Sequence, residues 1–204
     1  MVDAQYWSTQ KVIPVVVIKD ANQAVGLART LVEAGLPKIE ITLRTPAALD
    51  AISRIAKEVP DAIVGAGTVL DPQSADKALA AGAQYLVSPG ATPALLNHLL
   101  ATGFPFLPGC ATVSEAMYLI ERGVPVAKFF PAEDSGGVAF LKGLATVLQA
   151  LKFCPTGGIN LSNYKNYLEL PNVVCVGGSW ITPAAAIENG AWDEITLLAR
   201  AIKG

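Results

Sequence analysis

The chain of 204 residues carries a single histidine, His98, and only three cysteines. Charged residues make up 16% of it, and 15 Lys and Arg against 17 Asp and Glu leave a formal net charge of −2. With no cluster of Lys and Arg anywhere along the chain, a nucleic acid finds no basic patch and is not an expected partner. Although 52% of the residues are hydrophobic and the mean hydropathy is +0.43, no uninterrupted apolar run reaches the roughly 18 residues of a membrane span. Neither membrane insertion nor disorder fits such a chain. Cys110, Cys154 and Cys175 are odd in number, widely spaced and set in apolar stretches. That is the pattern of small core residues in a reducing compartment, not of a disulfide framework. Residues 1–10 hold acidic and aromatic side chains where a secretory leader carries a basic and then an apolar stretch, so a cytoplasmic location is expected.

What is abundant is apolar sequence in short, regularly spaced runs. Eight of strand length occur at residues 12–18, 39–43, 62–67, 84–88, 104–109, 124–130, 152–158 and 173–178. Their spacing of roughly 23 residues leaves room for a strand, a short loop and a three-turn helix. The segments between them (21–34, 46–59, 72–81, 93–101, 114–122, 138–151 and 161–168) are rich in Ala, Leu, Lys and Glu, which lose little rotamer freedom in a helix. Strands this apolar need cover on both faces, which predicts an α/β fold of one (β/α)8 TIM-barrel domain over 1–204, with 1–11 preceding the first strand. An open doubly wound sheet is the weaker alternative, because no GxGxxG turn follows the first strand and the glycine-rich turns come late.

In such a barrel the chemistry sits at the C-terminal ends of the strands, and residues of one parity point inward. In the second strand Ile39, Ile41 and Leu43 share a face, which leaves Glu40, Thr42 and Arg44 to the interior and mouth. In the sixth, Lys128 shares a face with Val126 and Phe130 inside a strongly apolar run. Burial disfavours the charged form of an amine and favours the neutral form that attacks a carbonyl. Glu40 is its natural acid–base partner. A buried structural ion pair is the alternative explanation of the two.

The turns PTGGIN (155–160) and VGGSW (176–180) end the seventh and eighth strands, the usual phosphate site of this architecture. Gly157, Gly158, Gly178 and the hydroxyl of Ser179 are therefore the expected phosphate-binding groups. The lone His98 falls on an expected helix, which excludes a histidine triad and a His-rich zinc site. Glu40 and Glu133 are the only acidic candidates at strand ends, too few for a magnesium–enolate site. No metal is expected.

The same residues carry a family resemblance. EITLRT (40–45), VGAGTVL (64–70), SPG (88–90), PGCATVSE (108–115), KFFPAE (128–133), CPTGGI (154–159) and GGSW (177–180) occur in this order and spacing between about Pro14 and Ile181. Together they resemble the KDPG/KHG aldolase family. The resemblance implies a cofactor-free class I aldolase that cleaves 2-keto-3-deoxy-6-phosphogluconate (KDPG) to pyruvate and glyceraldehyde 3-phosphate, with side activity on 4-hydroxy-2-oxoglutarate. It implies that Lys128 forms a Schiff base with the C2 ketone, that Glu40 shuttles protons, and that Arg44 binds the carboxylate of the pyruvyl half. It also implies that Thr68 and Thr156 line the pyruvyl site and that Phe130 and Pro89 wall the pocket. Thr68 shares parity with Val64 and Ala66, and Thr156 with Cys154, so both threonines are expected to face inward. The partner is then a small phosphorylated keto acid, and the assembly a homotrimer. A phosphosugar isomerase or epimerase, or a non-catalytic phosphosugar-binding barrel, would share the late glycines without the covalent chemistry.

Overall fold

The computed structural model describes residues 4–202. Nine short strands run through it: β1 (Val12–Val16), β2 (Lys38–Thr42), β3 (Ile63–Gly67), β4 (Tyr85–Val87), β5 (Phe106–Leu107), β6 (Gly109–Cys110), β7 (Val126–Phe129), β8 (Lys152–Pro155) and β9 (Val176–Gly178). Every strand pair is parallel. The order β5-β4-β3-β2-β1-β9 makes a six-stranded sheet and β6-β7-β8 a three-stranded one.

The hydrogen bonds thus draw a curled parallel sheet in two pieces, not the continuous eight-stranded ring expected from the sequence. Each interruption has a local cause. The fifth apolar run is split at Pro108, which has no N–H to give to a ladder; β5 pairs with β4 before it, and β6 with β7 after it. Between β8 and β9 only two isolated bridges form, Phe153 with Val173 and Thr156 with Gly177. The second side has one more residue between its bridges than the first, which is the signature of a β-bulge around Val174 and Cys175.

Helices follow the strands in the expected alternation: α2 (Ala24–Glu33), α3 (Ala48–Glu58), α4 (Pro72–Ala80), α5 (Pro93–Thr102), α6 (Val113–Glu121), α7 (Gly137–Val147) and α8 (Tyr164–Leu168), then α9 (Ala184–Glu188) and α10 (Trp192–Ala201) after β9. Their starts are written locally. Asp71 with Ser74, and Thr112 with Glu115, form reciprocal capping boxes at α4 and α6, which satisfy amides that a helix N-terminus leaves unpaired. In α3, Ala48, Ala51, Ile52 and Ile55 recur at helical spacing and bury one stripe.

Alternation along the strands separates two layers. Ile39, Ile41, Val64, Ala66, Ala127, Phe129 and Phe153 pack outward under the helices. Ile13, Tyr85, Val87, Leu107, Val126, Cys154 and Cys175 pack together on the inner face with Trp7. Trp7 comes from α1 (Ala4–Ser8), a helix within the segment that precedes the first strand. Its ring meets Tyr85 edge-on, with centroids 5.5 Å apart. Lys38, buried at the start of β2, donates to the Tyr6 carbonyl and to Thr9 Oγ1 and lies 4.0 Å from the centroid of the Tyr6 ring. The N-terminal segment thereby plugs the end at which the strands begin and leaves the opposite end open. Among the described residues no helix is long and apolar enough to cross a membrane.

Candidate active site

Lys128 sits in the middle of β7, paired on one side with Gly109 and on the other with Cys154. Glu40 holds the central position of β2, paired with Val15 and Gly65. The two strands are not neighbours, so the side chains meet across the interior. Lys128 Nζ is 3.5 Å from Glu40 Oε1, and both residues are buried, at 2% and 4% exposure. The flanking strand β3 leaves space for the carboxylate: a β-carbon at Gly67 would lie 2.0 Å from Glu40 Oε1. Among the described residues Glu40 Oε1 has no hydrogen-bond partner. Such a buried pair is a weak source of stability, since the desolvation of both charges offsets their attraction. Its chemical potential is larger, with an amine and a proton-transfer group held face to face.

Above the pair opens a cavity of about 170 Å³ whose walls include Arg44, Phe130, Thr156, Gly157, Gly158, Gly178 and Ser179. Lys128 and Glu40 do not themselves line it, but Phe130 follows Lys128 by two residues and its ring centroid is 5.1 Å from Nζ, so the amine lies behind this wall of the cavity. Seven of the residues expected from the sequence therefore share one space. Pro89 does not join them; it lines a neighbouring depression of about 340 Å³ with Leu70, Ala91, Leu95 and Glu115.

Thr68 reaches the site by a route other than strand alternation. Val64 and Ala66, whose parity it shares, face outward into the helix-side core, so the expectation based on parity has to be corrected. The backbone turns at Thr68 itself, with φ +60, a left-handed conformation that a β-branched residue adopts at a cost of about 1–3 kcal/mol. The turn directs its hydroxyl to Arg44, whose Nε donates to Thr68 Oγ1 at 3.1 Å. Strain at this position is thus coupled to the aim of a guanidinium that lines the cavity. Thr156, buried at the end of β8, is fixed by its own amide, which donates to the Phe129 carbonyl at 2.9 Å.

The Gly157–Gly158 turn shows why it suits an anion. Both residues have positive φ, +100 and +76. The carbonyls around the turn are occupied: Ala132 N donates to Thr156 O, Glu133 N to Gly157 O, and the side-chain amides of Asn160 and Asn163 to Gly158 O. The isolated bridge of Thr156 with Gly177 turns the Gly157 N–H toward β9, whereas Gly158 N donates to no group among the described residues. A concave glycine turn with its carbonyls tied back and an N–H left open suits a negatively charged group. The supporting set of Glu133, Asn160 and Asn163 is absent from the residues picked out as binding groups, although Glu133 was visible as one of two acids at strand ends.

The cysteines are poor competitors as nucleophiles. Burial pushes the Cys110 thiol up to about 12, with Glu115 adding to the effect. A hydrogen bond to Cys154, followed by burial, raises that of Cys175. Neither is a thiolate near neutral pH.

A parallel α/β scaffold with a buried lysine facing a carboxylate beside a glycine-lined cavity defines a class I aldolase, a carbon–carbon lyase that works through an imine. The comparisons with known proteins agree. The family model for KDPG and KHG aldolase matches residues 4–198. The KHG/KDPG aldolase of Escherichia coli (strain K12) is 50% identical over 198 residues, covering 97% of this chain and 93% of that protein. A crystal structure of KDPG aldolase from Legionella pneumophila, with pyruvate captured as a covalent carbinolamine intermediate, superposes with a TM-score of 0.96 at 44% identity, covering 99% of this chain and 98% of that one. The aldolase of Zymomonas mobilis ZM4 with 3-phosphoglycerate gives a TM-score of 0.91 at 44% identity, covering 98% and 94%. The chain belongs to the KDPG/KHG aldolase family.

Proposed function

We propose that the protein cleaves KDPG reversibly to pyruvate and glyceraldehyde 3-phosphate, and that 4-hydroxy-2-oxoglutarate is a second substrate. The observation that carries this reading is the 3.5 Å approach of Lys128 Nζ to Glu40 Oε1 behind the Phe130 wall of the cavity. The amine adds to the C2 ketone, and Glu40 supplies the proton with which the carbinolamine loses water. Glu40 then takes the proton of the C4 hydroxyl. The C3–C4 bond breaks, its electrons pass to the protonated imine, and the aldehyde departs. Protonation of the enamine at C3 and hydrolysis by water release pyruvate and return the lysine.

Arg44, aimed by Thr68, binds the substrate carboxylate through its planar fork. Thr156 hydrogen-bonds the pyruvyl half and Phe130 packs against it, while Pro89 acts from the adjoining depression. Gly157, Gly158, Gly178 and Ser179 take the phosphate, a role supported by their shared cavity wall, by the open Gly158 amide and by the phosphorylated ligand named for the Zymomonas protein. No metal or cofactor enters the scheme.

The curled sheet is read as one (β/α)8 barrel domain, with Pro108 and the bulge as local defects in a single ring. A homotrimer is supported by the exposed side chains of Leu70, Val113 and Met117, because exposed apolar surface favours burial against copies of the chain. Light scattering that returns a monomer would refute it. A cytoplasmic location accords with three buried, unpaired cysteines.

The decisive experiment is borohydride reduction in the presence of pyruvate, followed by peptide mass spectrometry of wild type and Lys128→Ala. A reduced pyruvyl adduct on Lys128, missing from the variant, is the expected result. Absence of an adduct on any lysine would leave a phosphosugar isomerase or a binding protein in its place.

A further inference from the structure

Outside the lysine–glutamate centre, the most constrained feature of the site is the attachment of the Gly157–Gly158 turn to the segment after β7. Glu133 packs on this turn so closely that a β-carbon at Gly158 would come within 2.5 Å of its Cγ. Its backbone N–H holds the Gly157 carbonyl at 3.2 Å. Its carboxylate runs on to α8, where Glu133 Oε1 accepts a hydrogen bond from the hydroxyl of Tyr167. Tyr167 is fully buried. Burial first, then the bond to Glu133, raise its phenol far above the usual tyrosine range, so it remains a donor throughout the working pH range.

This contact resolves an electrostatic conflict. Glu133 itself is exposed, and its carboxylate stands beside amides suited to a phosphate. Released from α8, it would repel an incoming phosphate, or turn over the open Gly158 amide and occupy it.

We propose that Tyr167 is a specificity-determining positioning residue, which pins Glu133 away from the phosphate turn and thereby sets the preference for a phosphorylated over a non-phosphorylated keto acid. The proposal rests on the aldolase reading above. Tyr167 touches no reacting atom; it acts through Glu133.

The test compares wild type with Tyr167→Phe, which keeps the buried ring and removes the hydroxyl. KM for KDPG rises about tenfold while kcat stays within about twofold, as expected when a like charge is freed beside the bound anion. The pyruvate concentration for half-maximal borohydride trapping is unchanged, since pyruvate carries no phosphate. Adding Glu133→Gln to Tyr167→Phe removes the freed charge and brings KM most of the way back. Equilibrium binding of inorganic phosphate weakens in Tyr167→Phe and recovers in the double variant. An unchanged KM in Tyr167→Phe, a parallel loss of pyruvate trapping, or a double variant no better than the single one overturns the proposal. Failure of wild type to trap pyruvate counts against the aldolase reading instead, and phosphate binding then decides the role of Tyr167.

Discussion

Glu40 and Gly67 lie on neighbouring strands, and the Glu40 carboxylate fills the volume that a side chain at 67 would need, with Oε1 2.0 Å from the site of its β-carbon. A glycine that looks like a weak strand residue is the space in which the Glu40 carboxylate stands. Gly67→Ala should therefore displace Glu40 and lower kcat by about a hundredfold, the scale of an ångström-sized misplacement. Overpacking adds a destabilisation of about 1–3 kcal/mol. Steady-state kinetics and urea unfolding measure the two; an alanine variant with wild-type kcat would refute the relationship.

Glu40→Gln keeps the shape of the side chain and removes its proton chemistry. The expected loss in kcat is about 10²–10⁴-fold, the range for a positioned general acid–base. Single-turnover trapping should find the variant accumulating pyruvate adduct more slowly than wild type. Equal trapping rates would assign the proton transfers to another group.

Thr68 carries strain in a left-handed conformation while it holds Arg44. Thr68→Gly relieves the strain but loses the hydroxyl and gains chain entropy in the unfolded state, for a net stabilisation of up to about 1 kcal/mol. Because Arg44 loses its partner, KM should rise with it. Higher thermal stability together with weaker substrate binding is the signature; a variant less stable than wild type would show that Thr68 is not strained.

Trp7→Ala should destabilise the protein by about 3–5 kcal/mol, the cost of emptying a buried indole site. Kinetics measured well below the unfolding transition should also show a lower kcat, because Trp7 packs on Tyr85, which stands level with Glu40 across Gly65. Denaturant unfolding and assays on the same preparation separate the two effects.

Glu115 caps α6, and its pKa is lowered chiefly by the hydrogen bond from the Ala111 amide, with Thr112 contributing. A carboxylate with a depressed folded-state pKa contributes stability above its unfolded value, and that contribution fades as the pH falls through the folded one. Stability curves of wild type and Glu115→Gln should differ at neutral pH and converge below about pH 4. A gap that persists unchanged into acid would refute this origin.

Several features of the site can be read before any coordinates exist, and for a physical reason. Strand alternation has a period of two, so the inward aim of Lys128 and Glu40 follows from their neighbours in the chain. Paired glycines at two late strand ends likewise mark one wall of the cavity. Past the last residue of a strand the period no longer applies. Thr68 is the example, since its parity aims it into the outer core and one left-handed residue reverses that. Pro89 shares a strand end with the mouth yet opens on the next depression.

Residue order by itself determined the succession of strands and helices, the parity of the lysine and the glutamate, and the location of the glycine turn on the cavity wall, because each depends on neighbours a few positions away. Only the tertiary structure decided that α1 plugs the inner layer with Trp7, that the sheet is interrupted at Pro108 and around Cys175, and that Tyr167 restrains Glu133. These depend on groups tens of residues apart in the chain, whose approach is settled by packing, and packing has no local period from which it can be read.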